Sequence, residues 1–218
     1  MQLQKYIDHT LLKASATEKD ILELCDEALK FNFYAVCING AHIPLVKSRL
    51  KGSPIKIAAV VGFPLGAMTT KSKVMEAEDY SDQGADEIDM VLNIGWLKSG
   101  KLIQVKEDIA QVKSGIGTKV LKVILETCYL TDEEKQIACR LAMEANADLV
   151  KTSTGFGPAG ATFKDVLLLK QTVGDSLQIK ASGGIKDRAT ALKYIELGAS
   201  RIGTSSGTLM LAARTKKK

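Results

Sequence analysis

Histidine is almost absent from this 218-residue chain: His9 and His42 are the only two, and nothing beside either supports a metal site. Cysteine is scarce too. Cys25, Cys37, Cys128 and Cys139 form no C-x-x-C pair and show no zinc spacing, so reduced thiols in a cytosolic protein are the simple reading. No run of about 18 uncharged apolar residues occurs, so no transmembrane helix is expected. The opening segment MQLQKYIDHT has no basic stretch followed by an apolar one. No signal peptide is predicted, and a cytoplasmic location follows by default. The chain also lacks linkers, low-complexity segments and long loops before its C-terminal tail. Its positive charge is shallow: Arg214, Lys216, Lys217 and Lys218 supply four of the net +5, which leaves the body at +1. A nearly neutral body argues against a nucleic-acid partner, and nothing points to a membrane. The stretch 214–218 reads as a frayed, solvated end.

What is present is regular alternation. An apolar fraction of 45% and a charged fraction of 25% describe an ordinary soluble globular protein. The length suits one sizeable core and is slightly short for an average barrel of ~250 residues. Eight short runs read as strands: 6–10, 34–39, 56–63, 87–94, 119–127, 148–154, 178–184 and 200–206. Helical patterns fall at 17–31, 69–83, 101–113, 131–145, 162–173 and 187–197. Thr17 is a candidate N-cap, and Thr131 with Glu134 forms a capping box. Strand–helix alternation predicts parallel strands joined by crossover helices. Eight units suit a closed (β/α)8 TIM barrel over 1–213, with 214–218 as a tail. An open doubly wound sheet is the alternative, but it expects a glycine-rich turn after the first strand, and YIDHTLLK has none.

In such a barrel, chemistry sits at the C-terminal ends of the strands. Asp8, Cys37, Asp89, Lys122, Glu126, Lys151 and Lys180 fall there. A lysine inside LVKTS or QIKAS must find a carboxylate, a catalytic use, or both, because an unpaired buried charge is costly. The plainer alternative is that it reaches the barrel rim and pairs with an acid. Lys151 and Lys180 hold corresponding places in consecutive strands, and neighbouring strands lie ~4.8 Å apart. Like charge and partial desolvation favour the neutral amine, which attack on a carbonyl requires. Which of the two would attack is left open by these residues. Alternation puts Asp89 and Val91 on one face of their strand, and Ile88 and Met90 on the other. Asp89 reads as a proton carrier, as a salt-bridge partner for a lysine such as Lys122, or as both. Glycine clusters follow: SGGI (182–185), predicted to open a helix near Lys186, GTSSG (203–207), and KTSTGFGP (151–158) beside them. Glycines let backbone approach a ligand, and the loops after the last two strands are the usual phosphate site of this fold.

These segments resemble the deoxyribose-phosphate aldolase family of class I, Schiff-base-forming aldolases. The resemblance rests on IDHTLLK (7–13), VCIN (36–39), VVGFPLG (60–66), ADEIDMVLNIG (85–95), LKVILET (121–127), ADLVKTSTGF (147–156), IKASGGI (179–185) and RIGTSSG (201–207). It implies that Lys151 forms the Schiff base, that Lys180 keeps its amine neutral and helps move protons, and that Asp89 shuttles protons through a water. It places Asp8 and Lys122 in the surrounding polar network. Thr154, Gly155, Gly183, Gly184, Gly203, Ser205 and Ser206 would hold a phosphate, and Cys37 would line the pocket. The implied substrates are small phosphorylated sugars and aldehydes of nucleotide catabolism, with no cofactor and no metal. The implied assembly is a homo-oligomer, a dimer or tetramer. Some members carry a tyrosine in the C-terminal tail that assists proton transfer, and ARTKKK has none. Another phosphosugar barrel enzyme, such as an isomerase, and a non-catalytic phosphosugar-binding protein are the rival readings.

Overall fold

β-Branched and apolar side chains suit a pleated surface that is covered on both sides, and the eight runs fold accordingly. The structure, a computed structural model, describes residues 1–212. The strands are β1 (Ile7–Leu11), β2 (Ala35–Asn39), β3 (Lys56–Val61), β4 (Glu87–Val91), β5 (Val120–Ile124), β6 (Leu149–Lys151), β7 (Gln178–Ser182) and β8 (Arg201–Thr204). Each pairs in parallel with the next, and β8 returns to β1, so the sheet closes. Around it run α1 (Glu18–Phe31), α2 (Ile43–Arg49), α3 (Thr70–Gln83), α4 (Ile94–Lys98), α5 (Leu102–Gly115), α6 (Asp132–Glu144), α7 (Phe163–Val173), α8 (Arg188–Glu196) and α9 (Gly207–Ala212). The architecture is a single (β/α)8 barrel, not an open sheet. The basic tail expected over 214–218 lies outside the described residues. Among the described residues, no helix is long and apolar enough to cross a membrane.

Local chemistry sets the helix starts. Thr17 caps α1, and the Asp20 carboxylate reaches back to accept from the Thr17 N–H at 2.8 Å. Thr131 and Glu134 form the same box at α6. The helix predicted to open near Lys186 starts instead at Arg188, because Asp187 caps it and accepts from the Thr190 N–H at 2.9 Å. The helices α2, α4 and α9 have 7, 5 and 6 residues, too few for a helical period to show in sequence. Several strands end earlier than their apolar runs, as the chain leaves the ladder to build loops. At β6 the ladder stops at Lys151, and the Thr152 hydroxyl continues it by accepting from the Ser182 N–H at 3.1 Å.

The two faces of the barrel wall differ. Outward side chains such as Val36, Ile38, Ile88 and Met90 join the main apolar core under the helices. The inner face holds a small cluster of Leu12, Cys37, Ala58 and Val60. The inner face also carries buried charged groups: Asp8, Glu87, Asp89, Lys122, Lys151, Lys180 and Arg201. Branched apolar residues normally occupy those layers.

The loop after β3 is held by close backbone contact. Gly66 has φ +67°, and a Cβ there would lie 2.1 Å from the Leu92 carbonyl oxygen. Gly66→Ala is expected to lower stability by at least ~2 kcal/mol, since the left-handed conformation alone costs ~1–2 kcal/mol and the loop after β4 must also move. An unchanged urea midpoint would show that the two loops are free to part.

Candidate active site

Strand alternation and register bring the inner charges together. Lys151 on β6 lies directly beside Lys180 on β7 in the parallel register, and Asp89 on β4 lies beside Lys122 on β5. Both neighbouring lysines turn inward and meet one oxygen: Lys151 Nζ and Lys180 Nζ donate to Asp89 Oδ2 at 2.8 and 2.9 Å. Lys122 Nζ donates to Asp89 Oδ1 at 2.6 Å. Asp8 Oδ2 lies 2.5 Å from Lys180 Nζ, and Glu87 Oε2 lies 2.6 Å from Lys122 Nζ. Arg201 closes the circuit by donating to Asp8 Oδ1 and to Glu87 Oε1, each at 2.6 Å. Its guanidinium carbon sits 3.3 Å from the centroid of the Tyr34 ring. The result is a ring of alternating sign: Arg201, Asp8, Lys180, Asp89, Lys122, Glu87. Lys151 hangs from it at Asp89.

Burial by itself would protonate the acids and deprotonate the lysines, and the ring reverses this. For Asp89, burial pushes upward, but Lys122, Lys151 and Lys180 outweigh it and hold the carboxyl well below its ordinary range. Asp8 is lowered too, against burial, by Lys180 and Arg201. Burial pulls Lys180 down, but Asp8 and Asp89 overcome it and keep the ammonium above its ordinary value. Lys122 is raised in the same way, chiefly by Asp89 against its own burial. Burial pushes the Cys37 thiol up, so it is a weak nucleophile.

Above the ring, at the C-terminal ends of the strands, a cavity of about 390 Å3 opens. Lys151 forms part of its wall, and the two ring lysines, Lys122 and Lys180, do not. The end of β1 and the loop after it supply Thr10, Leu12 and Lys13, the loop after β6 supplies Thr154, Gly155 and Phe156, and the loop after β7 supplies Gly183, Gly184 and Lys186. Gly203 and Ser205 complete it from β8. Gly183 and Gly184 have φ +87° and +76°, a conformation that favours glycine and turns backbone toward the cavity. Gly160 packs onto that turn so closely that a Cβ on it would lie 2.2 Å from the Gly183 carbonyl oxygen.

The residues expected from sequence thus fall into three places. Asp8, Asp89, Lys122 and Lys180 lie in the ring, with Lys151 between ring and cavity. Gly155, Gly183, Gly184, Gly203 and Ser205 line the cavity, and Thr154 borders it with its N–H donating to Glu126 Oε1 at 3.2 Å and its hydroxyl to Glu126 Oε2. Glu126 therefore clamps this loop and takes no part in the ring. Cys37 lies beneath the cavity, fully buried, with Sγ 3.9 Å from Asp89 Oδ2. Ser206 is off the wall, its N–H donating to Thr204 Oγ1 at 2.9 Å. Sequence reasoning missed Arg201 and Glu87, which complete the ring, and Lys13 and Lys186, which bring positive charge to the mouth. Lys13 closes IDHTLLK and Lys186 follows SGGI, so adjacency to these segments was the available signal.

A parallel barrel with polar groups converging on a cavity at the C-terminal ends of its strands belongs to the (β/α)8-barrel enzymes. The family model described as DeoC/LacD family aldolase matches residues 3–212. The chain is 53% identical to a deoxyribose-phosphate aldolase of Coprothermobacter proteolyticus, over 97% of this chain and 96% of that one. It is 56% identical to one from Finegoldia magna, over 95% and 97%. The solved structure of a deoxyribose phosphate aldolase from Aeropyrum pernix, described as having a unique tetrameric structure, superposes with a TM-score of 0.89 at 30% identity. That match covers 98% of this chain and 91% of the other. The chain belongs to the DeoC/LacD aldolase family and is an aldolase, a carbon–carbon lyase.

The ring makes stability depend on acid in a definite sense. Asp8 and Asp89 have lowered values in the fold, so their contribution is complete above the ordinary carboxylate value of ~3.9 and is lost as pH falls through their folded values. Below about pH 4, unfolding free energy is expected to fall by up to ~1.4 kcal/mol per pH unit for each such carboxylate. Asp89→Asn removes one of them. It should flatten that slope by about one proton while costing ~3–5 kcal/mol at neutral pH, because three lysines lose their shared partner. Urea unfolding across pH 2.5–7 (a range set by ~3.9, the carboxylate value) reads both. A slope identical to that of the unmutated protein would show that Asp89 is not held as a carboxylate.

Proposed function

We propose that the protein is a class I aldolase. It reversibly cleaves 2-deoxy-D-ribose 5-phosphate to D-glyceraldehyde 3-phosphate and acetaldehyde through a Schiff base on Lys151. The observation that carries this reading is that Lys151 alone among the three lysines bound to Asp89 reaches the cavity. Lys122 and Lys180 are sealed below, with both of their acids in contact. The names of the Coprothermobacter and Finegoldia relatives supply the substrate.

In the cleavage direction the Lys151 amine adds to the C1 aldehyde of the open-chain sugar, and loss of water gives an iminium. The C3 hydroxyl gives up its proton as the C2–C3 bond breaks. The electron pair of that bond moves toward the iminium nitrogen, leaving an enamine on Lys151. Glyceraldehyde 3-phosphate departs as the new aldehyde. The enamine takes a proton at C2, and water hydrolyses the iminium to acetaldehyde and free amine. The protonated imine is the electron sink. Asp89 Oδ2 joins the Lys151 and Lys180 nitrogens, so protons pass between the two amines across it, with the Lys180 ammonium as the donor on that path. The phosphate would lie against the Gly183–Gly184 turn, Gly155, Gly203 and Ser205, with Lys13 and Lys186 supplying charge at the mouth. The same reading carries a cytoplasmic location and a homo-oligomer, in keeping with the tetrameric description of the Aeropyrum relative.

Borohydride added with acetaldehyde should fix an ethyl group on Lys151, located by peptide mass spectrometry. Lys151→Leu should stay folded, escape labelling and lose turnover. Residual aldolase activity in that variant would remove the amine from the mechanism. The double variant Lys13→Gln with Lys186→Gln should raise KM for the phosphorylated sugar about tenfold, equivalent to ~1.4 kcal/mol, with a smaller change in kcat. A fall in kcat at constant KM would place those two lysines outside phosphate binding.

A further inference from the structure

Arg201 and Glu87 stand at the first positions of β8 and β4, the end of the barrel away from the cavity, and neither lines it. Both are buried. Their only ion pairs run into the ring: Arg201 to Asp8 and Glu87, and Glu87 to Lys122, among the described residues. A pair in this position could be mere packing under the floor. The charge count says more. The ring holds three acids, Asp8, Glu87 and Asp89, against three cations, Lys122, Lys180 and Arg201. It is neutral without Lys151. A proton on Lys151 makes the enclosed interior positive by one, with no further carboxylate in contact to answer it.

The groups around Lys151 can be named strand by strand. Asp89 faces it from β4, Lys180 from β7, and Lys122 lies across the shared carboxylate on β5. The Cys37 thiol touches Asp89 from β2, and Asp8 acts from β1 through Lys180. Lys13 and Lys186 share the cavity from its mouth, and Glu126 holds the adjoining loop through Thr154. None of these local groups removes the imbalance, so the far pair decides it.

We infer that Arg201 and Glu87 are positioning residues that set the charge state of Lys151 from the opposite end of the barrel, by fixing the ring at neutrality. This rests on the Schiff-base reading given above. Lys122, Lys180 and Arg201 are each raised above their ordinary values by their acids against burial, so the three ring cations remain charged.

The consequence is a pair of opposite effects. Arg201→Met leaves the ring one charge negative, and a Lys151 ammonium then balances it. The acid limb of Schiff-base formation should move to higher pH by about one unit, the order expected of one unit charge across a protein interior. Glu87→Gln leaves the ring positive, and the limb should move down by a similar amount. Arg201→Lys keeps the charge and should keep the limb. The double variant Arg201→Met with Glu87→Gln restores neutrality and should return the limb toward its original position. The measurement is the pH dependence of acetaldehyde–borohydride labelling at Lys151, with circular dichroism reporting folding. Glu87→Gln is nearly isosteric, so the sign can be read from it and from the double variant even if Arg201→Met does not fold.

A merely structural pair would lower the labelling rate without moving the limb, or move it the same way in both single variants. Either result overturns the inference and leaves the aldolase reading intact. Failure to label Lys151 in the unmutated protein would overturn the Schiff-base reading, and this inference with it.

Discussion

The carboxylate of Asp89 is the contact on which the rest of the interior depends. Its two oxygens take three lysine side chains from three different strands, at 2.6 to 2.9 Å. Each ion taken from water into a barrel carries a desolvation cost of several kcal/mol, and a single pair rarely recovers it. A closed ring does better, because every acid has at least two cationic neighbours and every ring cation two acidic ones. Stability itself comes from elsewhere, from the apolar layer between wall and helices. The interior gives up ordinary barrel packing, and what it gains is one amine without a full set of partners.

On the proposed function, the barrel separates two tasks that would interfere if they shared a place. Chemistry needs a dry, charged and rigid floor, while recognition of a phosphate needs exposed backbone and mobile cations. Strand side chains supply the first, with positions fixed by register. Loops supply the second. They are braced from behind: Glu126 holds the loop after β6, and Gly160 presses on the Gly183 turn. Phe156 and Phe63 meet edge to face at 5.2 Å, so an aromatic wall also borders the entrance. Lys151 is the one side chain that belongs to both halves.

Much of this was legible in the residues because strands advertise burial. A lysine in LVKTS or QIKAS stands out against its apolar neighbours, and period-two alternation gives its direction. Arg201 and Glu87 did not stand out, although they occupy strands too. Each is the first residue of its strand, where a charge ordinarily meets solvent. Here that end is covered, with Tyr34 stacked on the guanidinium, and no sequence pattern announces the lid. The short helices escaped for a different reason, since two turns or fewer cannot display a 3.6-residue period. Ser206 belongs to a motif whose Gly203 and Ser205 line the cavity, and Cys37 sits on the inner face of a strand that does not reach it. One residue's offset along a turn takes Ser206 off the wall, and such offsets depend on side-chain bonds like that from the Ser206 N–H to Thr204.

The neutral ring also bears on why a remote phosphate and a buried amine belong in one enzyme. On the proposed mechanism, condensation turns Lys151 from an amine into an iminium, which places in the interior the very positive charge the ring leaves unanswered. That charge is what draws electrons from the C2–C3 bond, so quenching it with another carboxylate would defeat the reaction. On the same reading, a sugar phosphate brings its own negative charge to the mouth of the same cavity, beside Lys13, Lys186 and the glycine turns. Binding energy gained there, away from the reacting atoms, can offset the cost of the uncompensated iminium below. The floor withholds a counter-charge, the ligand supplies one at a distance, and Lys151 is poised between them.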